Sequence, residues 1–312
     1  MIKRTLYFGN PAYLSTRDEQ LIVRLPEVEH NKTLPDRFKK EAQASIPIED
    51  IGLVILDHQQ LVITHALMAK LLANNAALIT CNHTHHPTGL LLNLEGHSLQ
   101  SQRFQAQVEA SVPLKKNLWQ QCVQAKISNQ AALLSAQGIA TDNMKRWAAQ
   151  VKSGDADNYE GRASAYYWNK IFTPFIQNFT RHRMGDPPNQ LLNYAYAIIR
   201  ATVARALVGS GLLPTLGIFH RNQYNAYCLA DDIMEAYRPF ADEAVLEIVK
   251  NEGPDVELNT ALKQKLLKLP AIDVRIGNET SPLMIATQRS SASLARCFLG
   301  ETRKLVLPTL GY

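Results

Sequence analysis

The sequence lacks the features that mark several large classes of protein. It has four cysteines among 312 residues and only 7% aromatic residues. Its apolar runs are far shorter than the roughly 18 residues that cross a membrane. Cys81, Cys122, Cys228 and Cys297 follow no short-range spacing, which predicts reduced thiols rather than a disulfide framework. The N-terminal run MIKRTLYFGN has no apolar stretch typical of a secretory signal. We therefore expect a cytoplasmic protein with no membrane partner.

Three common catalytic or nucleotide-binding motifs are also missing. The sequence contains no G-x-x-x-x-G-K-[ST], no G-x-G-x-x-G and no G-x-S-x-G. Their absence argues against nucleotide hydrolysis by a P-loop, dinucleotide-dependent redox chemistry and a serine hydrolase of the common type. The 46% hydrophobic and 20% charged composition is that of an ordinary folded protein, which excludes disordered, collagen-like and low-complexity chains.

The net charge of +5 is unevenly distributed along the chain. Residues 1–100 contain 9 Lys and Arg against 10 Asp and Glu, whereas residues 101–312 contain 24 against 18. A basic excess confined to one part is typical of a nucleic-acid-binding surface, but chance also produces a difference of this size. The charge alone leaves nucleic-acid binding open.

Local sequence patterns divide the chain into a β-rich part and a helical part. Short runs of branched and aromatic residues between turn formers predict strands at 6–8, 21–25, 52–56, 77–81 and 89–94. Thr64 is the predicted N-cap of a helix over 64–74. Helix-forming residues with helical periodicity predict helices at 100–110, 115–124, 129–136, 141–152, 157–172, 188–209, 224–250, 258–267 and 281–299. The predicted fold class is α+β, with a mostly-β domain over 1–96 and a larger all-helical domain over 97–312.

The densest group of reactive side chains lies between residues 217 and 239. His220 stands before the predicted helix 224–250, on which Asp231, Asp232 and Glu235 share one face with Arg238. Carboxylates three or four residues apart on a helix repel each other, and a divalent cation or a basic partner relieves the repulsion. Oxygen ligands suit Mg²⁺, and an added imidazole favours Mn²⁺. The residues therefore fit either a metal-dependent phosphoryl-transfer site or a solvated acidic helix face beside a loop histidine.

Two other segments carry reactive residues. Glu160 follows Asp157 by three residues, so it fits a helix capping box; alternatively it points into the domain beside the small residues 161, 163 and 164. The tract of Cys81, His83, His85 and His86 contains zinc-ligand residue types, but its spacing is not that of a zinc site. A strand end that runs into a polar loop explains the tract better, and whether it binds anything stays open.

Four segments, in chain order, resemble the CRISPR-associated integrases of the "Cas one" family. His220 with the run LADDIMEAYRP at 229–239 is similar to the family signature, as is EGRASAYYW at 160–168. The runs 7–15 and 89–96 resemble the branch found in type II systems. The resemblance implies a metal-dependent DNA endonuclease and integrase. Such an enzyme inserts new spacer DNA into a CRISPR array by transesterification, in the adaptation stage of antiviral CRISPR immunity.

The resemblance also implies the residues of the site. Glu160, His220 and Glu235 match the three catalytic positions that bind Mg²⁺ or Mn²⁺, and Asp232 matches a fourth acidic position that supports them. Six arginines are weaker candidates, because a structural ion pair explains each of them about as well as a DNA phosphate contact. They are Arg162, Arg200, Arg205, Arg221, Arg238 and Arg289.

The resemblance further implies an assembly on double-stranded DNA, which comprises the prespacer and the CRISPR repeat. Family members are homodimers through the N-terminal domain, and a dimer of the small "Cas two" protein bridges two homodimers. Type II systems add a DNA-end-binding accessory protein and the effector nuclease. Two alternatives remain at this point: a non-catalytic protein of the same fold that captures DNA ends, and a transposon-associated integrase relative.

Overall fold

The computed structural model describes residues 3–31, 33–35, 37, 39 and 42–311 of the chain. It forms two compact units, Met1–Gly96 and His97–Tyr312. Strands dominate the described part of the first unit and helices dominate the second. A mixed α and β protein, with strands first and helices after, is therefore confirmed.

The described part of the first unit contains two four-stranded sheets. Its strands are β1 (Arg4–Phe8), β2 (Ala12–Arg17), β3 (Gln20–Arg24), β4 (Ala44–Pro47), β5 (Ile51–Leu56), β6 (Leu61–Ile63), β7 (Ala77–Cys81) and β8 (Pro87–Leu91). The strand orders are β1-β5-β7-β8 and β4-β3-β2-β6. Strands β1, β5 and β7 run parallel, so their carboxyl ends meet at one edge of the sheet.

Helices α1 (Pro26–Glu29) and α2 (His65–Ala73) accompany these sheets. Thr64 caps α2 as the sequence predicts, because its side chain accepts a hydrogen bond from the backbone N–H of Leu67. Leu67 and Leu71 on one face of α2 join the buried core of the unit. Strands β2, β4 and β6 escape sequence prediction, because polar residues interrupt the apolar pattern of β2 and β4 and β6 has only three residues.

The second unit is built from helices around two long, buried ones. Its helices are α3 (Gln100–Glu109), α4 (Val112–Ala136), α5 (Asp142–Gln150), α6 (Tyr159–Ile171), α7 (Asn189–Gly209), α8 (Cys228–Met234), α9 (Arg238–Glu252), α10 (Thr260–Leu266) and α11 (Leu283–Phe298). Helix α7 is long and apolar enough to cross a membrane by length and composition alone. It packs against α8, α9 and α11, and 83% of its apolar stretch is buried. The apolar character of α7 is thus that of a core helix.

The prediction that the second domain is all-helical is wrong. Strands β9 (Asp273–Ile276), β10 (Glu279–Pro282) and β11 (Pro308–Thr309) form a small antiparallel sheet with β9 in the centre. Residues of β9 alternate between exposed and buried, and Gly277 has a positive φ of 61° in the turn to β10. A Gly-Asn pair between two segments of alternating polar and apolar residues is typical of a β-hairpin. The sequence interpretation missed it because helix-forming residues dominate the flanking segments.

The single helix predicted over 224–250 is also wrong. The chain forms α8, then a 3₁₀ turn over Glu235–Tyr237, then α9. Pro239 has no N–H to donate to the carbonyl of Glu235, so a continuous α-helix cannot pass this point. Asn129 of α4 donates to the carbonyl of Ala236 within the turn, at 2.8 Å. The break places Glu235 at a bend between two helices.

Candidate active site

Asp232 organises the loop that carries His220. Its side chain is fully buried and accepts backbone hydrogen bonds from Ile218 at 2.7 Å, Phe219 at 3.0 Å and His220 at 3.1 Å. Gly217 is required at the start of this loop, because an added Cβ would lie 2.4 Å from the carbonyl oxygen of His220. The loop is therefore wrapped around one carboxylate.

The same carboxylate orients the imidazole of His220. Nδ1 of His220 lies 2.6 Å from Oδ1 of Asp232. This hydrogen bond raises the pKa of His220, and burial raises the pKa of Asp232. A carboxylate that holds Nδ1–H fixes the tautomer in which Nε2 carries the lone pair, as in metal-binding histidines. Asp232 thus orients His220, and its support of a metal site stays a prediction.

Glu235 lies at the helix break and is almost fully buried, with 4% of its surface exposed. Its carboxylate is 2.7 Å from Nζ of Lys126 and 2.9 Å from Nε of Arg238. Oε2 of Glu235 and Nε of Arg238 have no partner with hydrogen-bond geometry, so these contacts are electrostatic. Burial alone would raise the pKa of Glu235, but Arg238 and Lys126 hold it below its usual value.

Glu160 lies in the first turn of α6 and does not cap the helix. Asn158 is the N-cap and accepts from Gly161, while Asp155 accepts from the backbone N–H groups of Tyr159 and Glu160, both at 2.9 Å. The capping-box alternative, in which Asp157 would be the N-cap, is wrong, and Asp157 pairs with Lys152 at 3.0 Å. Because other residues satisfy the helix terminus, the carboxylate of Glu160 is left to bind elsewhere.

Lys126 of α4 joins Glu160 to Glu235. Its ammonium forms a close ion pair with Oε1 of Glu160 and lies 2.7 Å from Oε2 of Glu235. Ser164 donates to Glu160 at 3.2 Å. The sequence interpretation missed Lys126, although a signal was present. The residue stands at helical spacing from the buried Trp119, Cys122 and Val123, where an apolar side chain is usual.

The acidic face of the predicted helix is buried rather than solvated. Asp231 is 6% exposed and Asp232 is 0% exposed. Asp231 lies 2.6 Å from Nε of Arg200 and accepts from Asn225 at 2.7 Å. Each carboxylate of this segment therefore has its own basic or hydrogen-bonding partner. The repulsion expected from the spacing is relieved by protein side chains, and the interpretation as a solvated helix face is wrong.

The donor types of Glu160, His220 and Glu235 fit a divalent cation. Two carboxylates and one imidazole suit Mg²⁺ or Mn²⁺, and Oε2 of Glu235 is a buried oxygen whose hydrogen-bonding capacity is unused. Over the described residues, however, no three His, Cys, Asp or Glu side chains stand close enough to hold a metal as they are arranged. The ammonium of Lys126 lies between the two glutamates instead.

Aromatic rings form one wall beside His220. Trp119 and Phe219 stack with ring centroids 4.2 Å apart and planes within 2° of parallel. Both rings meet the imidazole of His220 edge-on at 5.6 Å. Trp119 is buried, whereas Phe219 is 47% exposed. The stack restricts the movement of His220, and sequence reasoning did not identify it because Trp119 lies far away in the chain.

The six candidate arginines have different environments. Arg162 and Arg221 are exposed, and Arg162 lies over the ring of Tyr159 at 5.2 Å. Arg200 pairs with Asp231, and Arg289 pairs with Glu279. Arg238 contacts Glu235 and the ring of Tyr196, so it serves the acidic cluster. Arg205 is only 2% exposed, and burial lowers its pKa to about 10; it is too deeply buried for a phosphate contact.

The Cys81–His86 tract forms the turn between β7 and β8. Asn82 accepts hydrogen bonds from the backbone of Thr84 and His86 at 3.1 and 3.0 Å, and His85 has a positive φ of 61°. Nδ1 of His85 lies 2.9 Å from Oδ1 of Asp57. The polar turn explains the composition of the tract. The four cysteines of the chain are free thiols, as expected from their spacing.

Comparisons with known proteins agree with the family resemblance of the sequence. A family model described as CRISPR associated protein Cas1 matches residues 6–265. A CRISPR-associated endonuclease Cas1 of Neisseria meningitidis is 33% identical over 295 residues, which cover 94% of this chain and 91% of the relative.

Two solved structures have a similar fold. One is a casposase bound to an integration product, with a TM-score of 0.77 at 17% identity, over 98% of this chain and 92% of the casposase. The other is a chain of a Cas6-RT-Cas1–Cas2 complex, with a TM-score of 0.73 at 17% identity, over 99% of this chain and 36% of that one. At these identities the similarity shows a shared fold.

Proposed function

The chain belongs to the Cas1 family of CRISPR-associated endonucleases, and from this premise we propose that it is a metal-dependent DNA integrase. In this proposal it inserts new spacer DNA into a CRISPR array of a type II system by transesterification. The observation that carries the proposal is that the partly buried Glu160 and the buried Glu235 both contact the ammonium of Lys126. Asp232 fixes the orientation of His220 through a hydrogen bond, and the charge of Glu235 helps to raise the pKa of His220.

The reaction requires a DNA 3′-hydroxyl to attack a phosphodiester of the repeat. The attacking hydroxyl loses its proton as the new P–O bond forms, and the leaving 3′ oxygen takes up a proton as the old P–O bond breaks. Glu160, His220 and Glu235 would hold Mg²⁺ or Mn²⁺, which supplies positive charge for the phosphate oxygens and lowers the pKa of the attacking hydroxyl. Asp232 keeps the imidazole in one orientation, and Arg238 keeps Glu235 ionised.

Double-stranded DNA is the proposed substrate and partner. The basic excess lies in residues 101–312, which include the acidic cluster. Exposed Arg162 and Arg221 are the strongest of the six arginines for phosphate contacts, because the side chains of the others are buried or paired. Phosphate contacts fix register on DNA without reading its sequence.

The proposed assembly follows the family. We expect a homodimer formed through the first unit, whose charge is close to neutral, and a Cas2 dimer that bridges two such homodimers. The Cas6-RT-Cas1–Cas2 complex, one chain of which has a similar fold, supports Cas2 as a partner. In a type II system, an end-binding accessory protein and the effector nuclease would assist in the cytoplasm.

The isosteric variants Glu160→Gln and Glu235→Gln test the site. Strand transfer of a labelled prespacer into a plasmid-borne repeat should fall by at least about 1000-fold, because an essential ligand loses its charge. Affinity for the same DNA, measured by fluorescence anisotropy, should stay within about twofold. Glu247→Gln is the matched control, since Glu247 is an exposed residue of the same unit paired with Lys250. Normal strand transfer by Glu235→Gln would refute the assignment.

The same assay separates the two alternatives. A protein that only captures DNA ends would bind the prespacer but transfer no strand in either Mg²⁺ or Mn²⁺. A transposon-associated relative would insert transposon ends in preference to prespacers. The similarity to a casposase extends to the fold, whereas the Neisseria relative shares 33% of its residues, so spacer integration is the proposal we favour.

A further inference from the structure

Lys126 occupies an unusual position for a lysine. Its side chain is 8% exposed and extends from the middle of α4 into the core of the second unit. Its ammonium contacts Glu160 from the first turn of α6 and Glu235 from the helix break. These carboxylates belong to distant segments of the chain, and Lys126 contacts both of them.

The charges of this cluster balance without any added ion. Glu160 and Glu235 carry two negative charges, and Lys126 and Arg238 carry two positive charges against them. The ammonium lies against both carboxylates, which favours its charged form. A divalent cation added to this arrangement would leave two uncompensated positive charges in a buried site, which is strongly unfavourable.

We propose that the ammonium of Lys126 is an internal counter-ion that holds Glu160 and Glu235 together in the metal-free protein and leaves them when a divalent ion binds. This inference rests on the proposed function, since it takes these glutamates as metal ligands. The long, flexible stem of a lysine allows its head group to move while the helix stays in place. Lys126 is thus a positioning residue that prepares the carboxylates and competes for them.

The competition has a direct thermodynamic consequence. If the ammonium and the divalent ion exclude each other, removal of the ammonium must tighten metal binding. The same removal leaves the buried carboxylate of Glu235 and the partly buried carboxylate of Glu160 less compensated in the metal-free protein, which destabilises it. Metal should therefore stabilise a charge-removed variant more than it stabilises the wild type. A lysine with a purely structural role would not produce these opposite changes.

Lys126→Met tests the proposal, because it keeps the length and apolar stem of the side chain and removes the charge. The full-length, chelator-treated protein is titrated with Mn²⁺ alone by calorimetry, and its Tm is measured in EDTA and in saturating Mn²⁺. We expect the Kd for Mn²⁺ to fall by about tenfold or more, the Tm in EDTA to fall, and the increase in Tm caused by Mn²⁺ to grow. Lys126→Arg keeps the charge and should bind Mn²⁺ no more tightly than the wild type.

Lys263→Met is the matched control. Lys263 is 5% exposed in the same unit, and its ammonium lies over the ring of Tyr194 at 5.8 Å. It should leave the Kd for Mn²⁺ unchanged within about twofold. If Lys126→Met does not fold without metal, Lys126→Gln replaces it, because the amide can still donate to one carboxylate while carrying no charge. The same direction of change is expected.

The outcomes separate this inference from the proposed function. Suppose that His220→Ala abolishes Mn²⁺ binding, but folded Lys126→Met or Lys126→Gln binds Mn²⁺ no more tightly than the wild type. This result overturns the role of Lys126 and leaves the metal site intact. If Mn²⁺ binding by the wild type does not depend on His220, the metal-site assignment fails and this inference fails with it. Tighter binding in both uncharged variants and not in Lys263→Met supports the counter-ion.

Discussion

Each of the two units buries an aspartate that is hydrogen-bonded to Nδ1 of a histidine. In the first unit Asp57 pairs with His85 at 2.9 Å, and in the second Asp232 pairs with His220 at 2.6 Å. Both aspartate side chains are fully buried, and both imidazoles are partly exposed, 58% for His85 and 40% for His220. The geometry of the two pairs alone does not show which of them belongs to a catalytic site.

Their surroundings distinguish the two pairs. Asp57 also accepts from the hydroxyl of Tyr7 at 2.6 Å and holds a polar turn to the end of a parallel strand. Asp232 holds a whole loop by its backbone, and the charge of Glu235 acts on His220 beside it. A carboxylate–imidazole pair orients an imidazole in either place. In the second unit the charges of Glu235 and Asp231 also act on the imidazole and help to raise the pKa of His220.

The largest expected difference between the pairs is in catalysis. His220→Ala should reduce strand transfer by at least about 1000-fold, because the proposed metal site loses one of its three ligands. His85→Ala should leave strand transfer within about twofold and cost about 1 kcal/mol of unfolding free energy through its lost hydrogen bond. Strand transfer and urea unfolding of both variants measure this. A comparable loss of activity in His85→Ala would break the comparison.

Asp242 is another buried aspartate, and it shows how burial changes the pKa of a carboxyl whose hydrogen-bond donors are tyrosines. Asp242 accepts from Tyr167 at 2.9 Å and from Tyr196, and burial raises the pKa of Asp242 to about 6 despite these bonds. Because its pKa is raised in the folded state, protonated Asp242 stabilises the fold. This stabilisation is complete below the ordinary pKa of an aspartate and is lost as the pH rises through about 6.

The stability of the wild type relative to Asp242→Asn should therefore fall by about 2 to 3 kcal/mol between pH 4 and pH 7. Urea unfolding at a series of pH values measures the change. Asp142→Asn is the control, because Asp142 is exposed at the start of α5. A difference between the wild type and Asp242→Asn that does not vary with pH would show that burial does not control this carboxyl.

Replacement of the two paired aspartates sharpens the contrast further. Asp232→Asn presents an amide NH₂ to backbone donors, so the His220 loop loses part of its support and strand transfer should fall by about 10- to 100-fold. Asp57→Asn can still accept from Tyr7, so strand transfer should stay near the wild-type rate, while stability falls by about 1 to 2 kcal/mol. Equal activity of the two variants would mean that the Asp232 loop does not orient His220 for the reaction.

Local signals predicted much of the fold. Strand β7 has the predicted bounds, Ala77–Cys81, and Thr64 caps α2 as expected, because both depend on neighbours in sequence. The break at Pro239 was missed although proline marks it, since the helical periodicity continues on both sides. The small sheet around β9 was missed because its strands have only two to four residues each.

The spacing in the sequence placed Asp231, Asp232 and Glu235 together on one face of a predicted helix, and the family resemblance added Glu160 and His220 to them. Spacing could not decide whether that acidic face is solvated or buried, because burial depends on which other elements pack against it. The packing of α4 supplied Lys126 to Glu160 and Glu235 and placed Trp119 against Phe219. The chain by itself thus determined the reactive residues. Only the tertiary structure determined their partners, since contacts between distant segments follow from side-chain packing and not from separation along the chain.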